Sequence, residues 1–192
     1  MATTPRKYKA KVHITVDYET LSLNRHAAIV EIGAVVTLGN FDYQTFECKI
    51  KPSSYTGTPF VIDDETVAWH NVQHPDYLAS CEAEGITWQE AAVNFHSWLS
   101  GFANEAELHV WAQGKDFDGP LTEHLFAHMH LKTPYSYSRL HCARDLIWLN
   151  PAARIQRAND GTHHTALADA QHSSEMIRSA VARSTWYQKL FA

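Results

Sequence analysis

Asp17 and Glu19, in the run Val12-His13-Ile14-Thr15-Val16-Asp17-Tyr18-Glu19-Thr20, set two carboxylates two residues apart at the end of an apolar stretch. In a β-strand such residues project to one face. Two negative charges then meet beside a core that disfavours like charges without a counter-ion. A divalent cation resolves that conflict; the alternative is that both acids lie just past the strand, in solvent. Two further segments carry groups of the same kind. In the run from Val110 to Pro120, a strand crosses a turn at Gly114 and delivers Asp118 to the start of a helix. Asp is also a favoured helix cap, so this position alone has two readings. Asp116 competes with it, and Phe117 between the two acids reads as a buried anchor. In His163-His164-Thr165-Ala166-Leu167-Ala168-Asp169-Ala170, an imidazole stands at the mouth of a helix. A carboxylate follows about one and a half turns further in, among small residues that allow close approach. A solvated helix face with a capping histidine is the other reading of that segment.

The elements that must position these groups are visible in the hydrophobic patterning. Strands are expected over residues 11–17, 29–38 and 43–50. The second is nearly continuous in Ile, Val and Ala, as a strand buried on both faces is, and Gly39-Asn40 turns the chain into the third. A loop over 52–59 precedes a short helix at about 64–71. Thr87-Trp88-Gln89-Glu90 has the form of a capping box. It opens a helix whose Trp88, Ala91, Phe95, Trp98, Leu99 and Phe102 make a stripe of helical period. A strand at 108–112, helices at 120–130, 138–149 and 164–183, and a loop at 154–161 complete the chain. Pro120 suits the first turn of its helix. This order predicts an α/β fold, a central mixed β-sheet flanked by helices on both faces. Residues 1–192 are read as one domain, long enough to bury a substantial core.

Composition narrows the function. Six Trp, eight Tyr and eight Phe indicate a packed interior. Cys48, Cys81 and Cys142 are widely spaced and form no Cys-x-x-Cys, which supports neither a disulfide framework nor a thiolate zinc site. Without an apolar leader or a long apolar run, a soluble protein with no membrane attachment is expected. The formal charge of −5 argues against tight non-specific attachment to nucleic acid through bulk electrostatics. It leaves room for an enzyme that holds a strand end through bound metal and a few basic residues. Arg6, Lys7, Lys9 and Lys11, and Arg139, Arg144, Arg154 and Arg157, are candidates for such contacts.

Asp17-x-Glu19, Gly114-x-x-Phe117-Asp118 and His164-x-Ala166-x-x-Asp169-Ala170 together resemble the three exonuclease motifs of the DEDD superfamily. The histidine five residues before the last Asp is that of its DEDDh branch. Ala28-Ile29-Val30-Glu31-Ile32-Gly33-Ala34-Val35 and Thr66-Val67-Ala68-Trp69 extend the likeness over most of the chain. Within the branch it is similar to the T-even phage exonuclease A and to small bacterial 3′–5′ exoribonucleases. Gln113 stands where many relatives have Asn or Gly.

The resemblance implies a ribonuclease H-like fold and a single 3′–5′ exonuclease domain over 1–192. It implies that Asp17, Glu19, Asp118 and Asp169 hold two divalent cations, that His164 is the general base, and that Thr20 and Leu21 contact the terminal nucleotide. Carboxylate oxygens independently suit Mg²⁺ or Mn²⁺, and an imidazole suits proton transfer near neutral pH. The expected reaction is hydrolysis of single-stranded nucleic acid from its 3′ end to nucleoside 5′-monophosphates, with DNA favoured. An exoribonuclease on the same scaffold and a catalytically weak nucleic-acid-binding protein are the alternatives. A zinc protein built on His124 and His128 is a third. The resemblance also implies a cytoplasmic protein of a bacterial or phage-infected cell. Trp186, Tyr187, Leu190 and Phe191 are expected to dock on the domain or on a second copy in a homodimer. His163 adjoins the expected base, so the two are to be separated by substitution. His164→Ala should lose roughly a hundredfold or more in turnover and still bind metal, and His163→Ala should lose little. Equal losses in steady-state rates would undo the assignment.

Overall fold

The computed structural model describes residues 10–39, 41–156 and 165–183. Five strands form one sheet: β1 (Lys11–Thr20), β2 (Ile29–Gly39), β3 (Thr45–Lys49), β4 (Glu107–Ala112) and β5 (Leu140–Cys142), in the order β3-β2-β1-β4-β5. β1 runs antiparallel to β2 and parallel to β4, and β4 runs parallel to β5, so the sheet is mixed as expected. The helices are α1 (Asp64–Gln73), α2 (Tyr77–Glu84), α3 (Trp88–Glu105), α4 (Lys115–Ala127), α5 (Ala143–Leu149) and α6 (Ala166–Ala182).

Strand alternation divides the interior between the two sheet faces. Val12, Ile14 and Val16 of β1 and Leu108 and Val110 of β4 pack with Phe95 and Leu99 of α3 and Leu121 and Leu125 of α4. Trp111, on the opposite face of β4, packs with Ile147 of α5 and Ile177 and Ala180 of α6. The Thr87 capping box is formed in both directions, and the stripe at Ala91, Phe95 and Leu99 is fully buried. No described helix is long and apolar enough to cross a membrane.

Several elements differ from the sequence expectation. β1 continues through Thr20, so Asp17 and Glu19 lie within the strand rather than at its end. The helix expected at 138–149 is a short 3-10 turn, then β5, then the brief α5. A three-residue strand carries no periodicity of its own and exists only through its pairing with β4. α4 starts at Lys115, which moves Asp118 from the cap into the first turn. α6 starts at Ala166, with the Thr165 hydroxyl accepting from the Ala168 amide.

The first turn of α6 rests directly on β2. A β-carbon added at Gly33 would lie 2.1 Å from the Ala166 carbonyl carbon and 2.2 Å from the Leu167 nitrogen. Backbone atoms cannot yield as a side-chain tip does. Gly33→Ala should therefore force the helix off the sheet and cost about 2 kcal/mol, lowering Tm by roughly 4–8 °C. A calorimetric Tm within a degree of the parent would contradict this close seating.

Candidate active site

Asp17 and Glu19 share the face of β1 that carries His13 and Thr15, and both are half-buried. α6 covers that face and presents Asp169 from its first turn. One oxygen from each of the three carboxylates lies within 4.8 Å of the other two. Among the described residues this is the only trio of acidic, histidine or cysteine side chains so arranged.

Asp118 approaches from the helix that follows β4. Its Oδ2 accepts the Gly114 amide at 3.2 Å, and the residue is only 6% exposed. Burial pushes its pKa up to about 6, with the Gly114 amide and the Arg144 guanidinium opposing the shift. It stands outside the trio but shares with Asp17 a cavity of about 640 Å³, whose walls include Arg25, Lys115 and Arg144. Asp116 also reaches this wall but is exposed. The site thus lies at the carboxyl ends of the parallel strands β1 and β4, where open α/β sheets bind ligands.

A second cavity, of about 480 Å³, adjoins the first, and Tyr18, Leu23 and Phe117 line both. Glu19, Thr20 and Trp69 complete much of its wall. Thr20 lines it, with its hydroxyl donating to the Ser22 carbonyl at 2.8 Å. Leu21 lines neither described cavity; it is 2% exposed and belongs to the core, whereas Leu23 is 84% exposed. Phe117, expected as a buried anchor, is half-buried and forms a wall of both cavities. Sequence reasoning missed Leu23 and Trp69 as wall residues, since exposure of a large apolar side chain becomes informative only once the surrounding surface is known.

His163, His164, Arg157, the basic residues Arg6, Lys7 and Lys9, and the apolar residues at 186–191 lie outside the described residues. Arg139 is paired with Glu107 at 3.1 Å. The His124 and His128 rings are in contact, with centroids 4.4 Å apart, and His26 stacks on His124. These three histidines do not converge as a metal-binding trio.

The carboxylates fit a hard divalent cation. Their donors are all oxygen, three of them already converge, and the buried Asp118 carboxylate needs positive charge nearby to ionise readily. The raised value of Asp118 also has a consequence for stability. A carboxyl raised on folding contributes fully below its unfolded value of 3.8 and loses that contribution as pH rises through about 6. Asp118→Asn should therefore gain roughly 2–3 kcal/mol on the metal-free parent between pH 4 and pH 7, and saturating Mn²⁺ should reverse the gain. Urea unfolding at several pH values measures the difference, and a constant difference across the window would contradict the assigned environment.

The description "3′–5′ exoribonuclease Rv2179c-like domain" belongs to the family model that matches residues 12–181. No curated protein sequence matches the chain. Among solved structures, apo exonuclease I is 17% identical with a TM-score of 0.68, covering 94% of this chain and 44% of that one. E. coli exonuclease I in complex with a 5cy-dA13 oligonucleotide is 16% identical with a TM-score of 0.68, covering 94% and 43%. A moderately thermophilic exonuclease I from Methylocaldum szegediense gives the same identity and score, covering 94% and 42%. The chain therefore spans less than half the length of these proteins, and the likeness bears out the ribonuclease H-like fold. With the family model matched over nearly its whole length, the chain belongs to the 3′–5′ exoribonuclease Rv2179c-like family.

Proposed function

We propose that this protein removes nucleotides from the 3′ end of single-stranded RNA and releases nucleoside 5′-monophosphates. In this reading Asp17, Glu19, Asp118 and Asp169 hold two divalent cations, Mg²⁺ or Mn²⁺, and His164 is the general base. The observation that carries it is the convergence of three carboxylates within 4.8 Å, beside a buried fourth, where two cavities meet. Bound cations supply the positive charge that an in-line displacement at phosphorus requires on its attacking and leaving oxygens.

The chain's own residues account for the rest. The cavity lined by Trp69, Phe117 and Thr20 has the aromatic surface on which a terminal base stacks. Leu23 stands between the two cavities and separates the terminal base from its neighbour. Arg25, Lys115 and Arg144 line the other cavity, so the phosphates of the remaining strand run there. His164 takes the proton of the attacking water. Leu21 contributes through the backbone: its amide donates to the Ala28 carbonyl and its carbonyl accepts the Asp63 amide, which fixes the loop bearing Leu23.

RNA is preferred as substrate because the matched family is described as exoribonuclease. DNA is the second reading, favoured by the exonuclease I complex with a dA13 oligonucleotide. The test is hydrolysis of 5′-labelled single-stranded RNA and DNA with Mg²⁺, Mn²⁺ or EDTA. A metal-dependent ladder shortening from the 3′ end, faster on RNA, is expected. Asp17→Ala and Asp118→Asn should lose roughly a thousandfold, and Asp116→Asn should stay within about threefold. Faster loss of DNA would select the second reading, and release from neither polymer would overturn both.

A further inference from the structure

Beside the carboxylates lies a buried polar bracket, whose His70 also lines the aromatic cavity. Glu31 of β2 is 1% exposed, and its Oε2 accepts a short hydrogen bond from the Tyr77 hydroxyl of α2. Burial pushes the Glu31 carboxyl up, with the Tyr77 hydroxyl and the Ala166 amide opposing the shift. Tyr77 stacks on His70 of α1, with ring centroids 5.6 Å apart and planes 21° apart. His70 is itself 2% exposed, and its Nε2 donates to the Thr20 carbonyl at 2.9 Å. Glu31 and Glu19 are direct cross-strand partners, and Gly33, two residues along β2, is the point where α6 rests on the sheet.

A buried carboxylate in this place is costly, and nothing in the packing demands one. An apolar residue would fill the space beneath α2 without that cost. The bracket touches, however, both halves of the proposed metal site. Through His70 it holds the end of the strand that carries Asp17 and Glu19. On the same face of β2, two residues from Glu31, Gly33 meets the first turn of the helix that carries Asp169. We propose that Glu31, held by Tyr77, is a positioning residue that fixes the first turn of α6 against the end of β1. It thereby sets the spacing of Asp169 from Asp17 and Glu19. This rests on the exonuclease reading of the same site. Misplacement of a catalytic group by about 1 Å costs on the order of a hundredfold in rate, so the effect of a distant anchor is measurable.

The test compares Glu31→Leu, Glu31→Gln and Tyr77→Phe in the full chain. Mn²⁺ affinity is read by electron paramagnetic resonance titration without substrate, and kcat and KM on single-stranded RNA are read separately. Glu31→Leu should weaken Mn²⁺ binding about tenfold and lower kcat roughly thirtyfold, with KM within about threefold. Tyr77→Phe, which keeps the ring stack and removes only the donor, should show the same pattern at about fivefold. Glu31→Gln, which keeps an acceptor for Tyr77, should recover most of the loss. If Glu31→Leu fails to fold, the other two variants carry the comparison. Mn²⁺ affinity and kcat within about twofold of the parent for every folded variant, even with a lower Tm, would reduce Glu31 to a structural role and overturn the proposal. Normal Mn²⁺ binding by the parent without turnover of RNA or DNA would instead overturn the exonuclease reading, and the affinities would still decide the positioning role.

Discussion

Repulsion among carboxylates is the constraint around which the rest of this structure is arranged. Oxygens of Asp17, Glu19 and Asp169 lie within 4.8 Å of one another, half-buried against a packed sheet. At an effective dielectric constant of about 20, two unit charges that close repel by roughly 3–4 kcal/mol, more than a typical hydrogen bond contributes net. Asp118 adds a carboxyl that burial alone pushes toward its neutral form. A fold selected for stability alone would scatter these groups into solvent. Their gathering at the carboxyl ends of two parallel strands fits a ligand of positive charge, and all-oxygen donors suit a hard one.

The sheet and its two helical layers resist that repulsion by fixing the carboxylates on three rigid elements, Asp17 and Glu19 on β1, Asp118 on α4 and Asp169 on α6. β1 is clamped between β2 and β4, with Val12, Ile14 and Val16 buried beneath α3 and α4. α4 is tied to the strand by the Tyr18–Thr122 hydrogen bond, which keeps Asp118 close to the end of β1. α6 reaches the other face only because Gly33 has no side chain to hold it off. α4 and α6 are therefore each seated by contacts of their own, apart from the strand that carries Asp17 and Glu19. The two adjoining cavities, one aromatic and one basic, share the walls made by Tyr18, Leu23 and Phe117, which suits a single strand bent around one phosphate.

Local patterns in the sequence were enough to locate β1 to β4, the α3 capping box and the acidic positions. Thr87 and Glu90 sit in one turn, and Asp17 and Glu19 in one strand, so their chemistry is written in adjacent residues. What escaped was long-range. β5 depends on pairing with β4, and the eight-residue α2 is too short and too weakly patterned to announce itself. Which side chains flank the end of β1 depends on where the strand ends, and β1 runs three residues beyond the expected Asp17, through Thr20. The tie from Glu31 to Tyr77 spans 46 positions, and no local spacing could reveal it. His164, readable from its five-residue spacing to Asp169, lies outside the described residues.

Anomalous diffraction from crystals soaked in Mn²⁺ tests the central claim most directly, because it locates the metal without relying on turnover. Manganese density bounded by Asp17, Glu19 and Asp169, extending toward Asp118, is the predicted result. Density absent from that cleft at saturating Mn²⁺, or found instead among His26, His124 and His128, would contradict it.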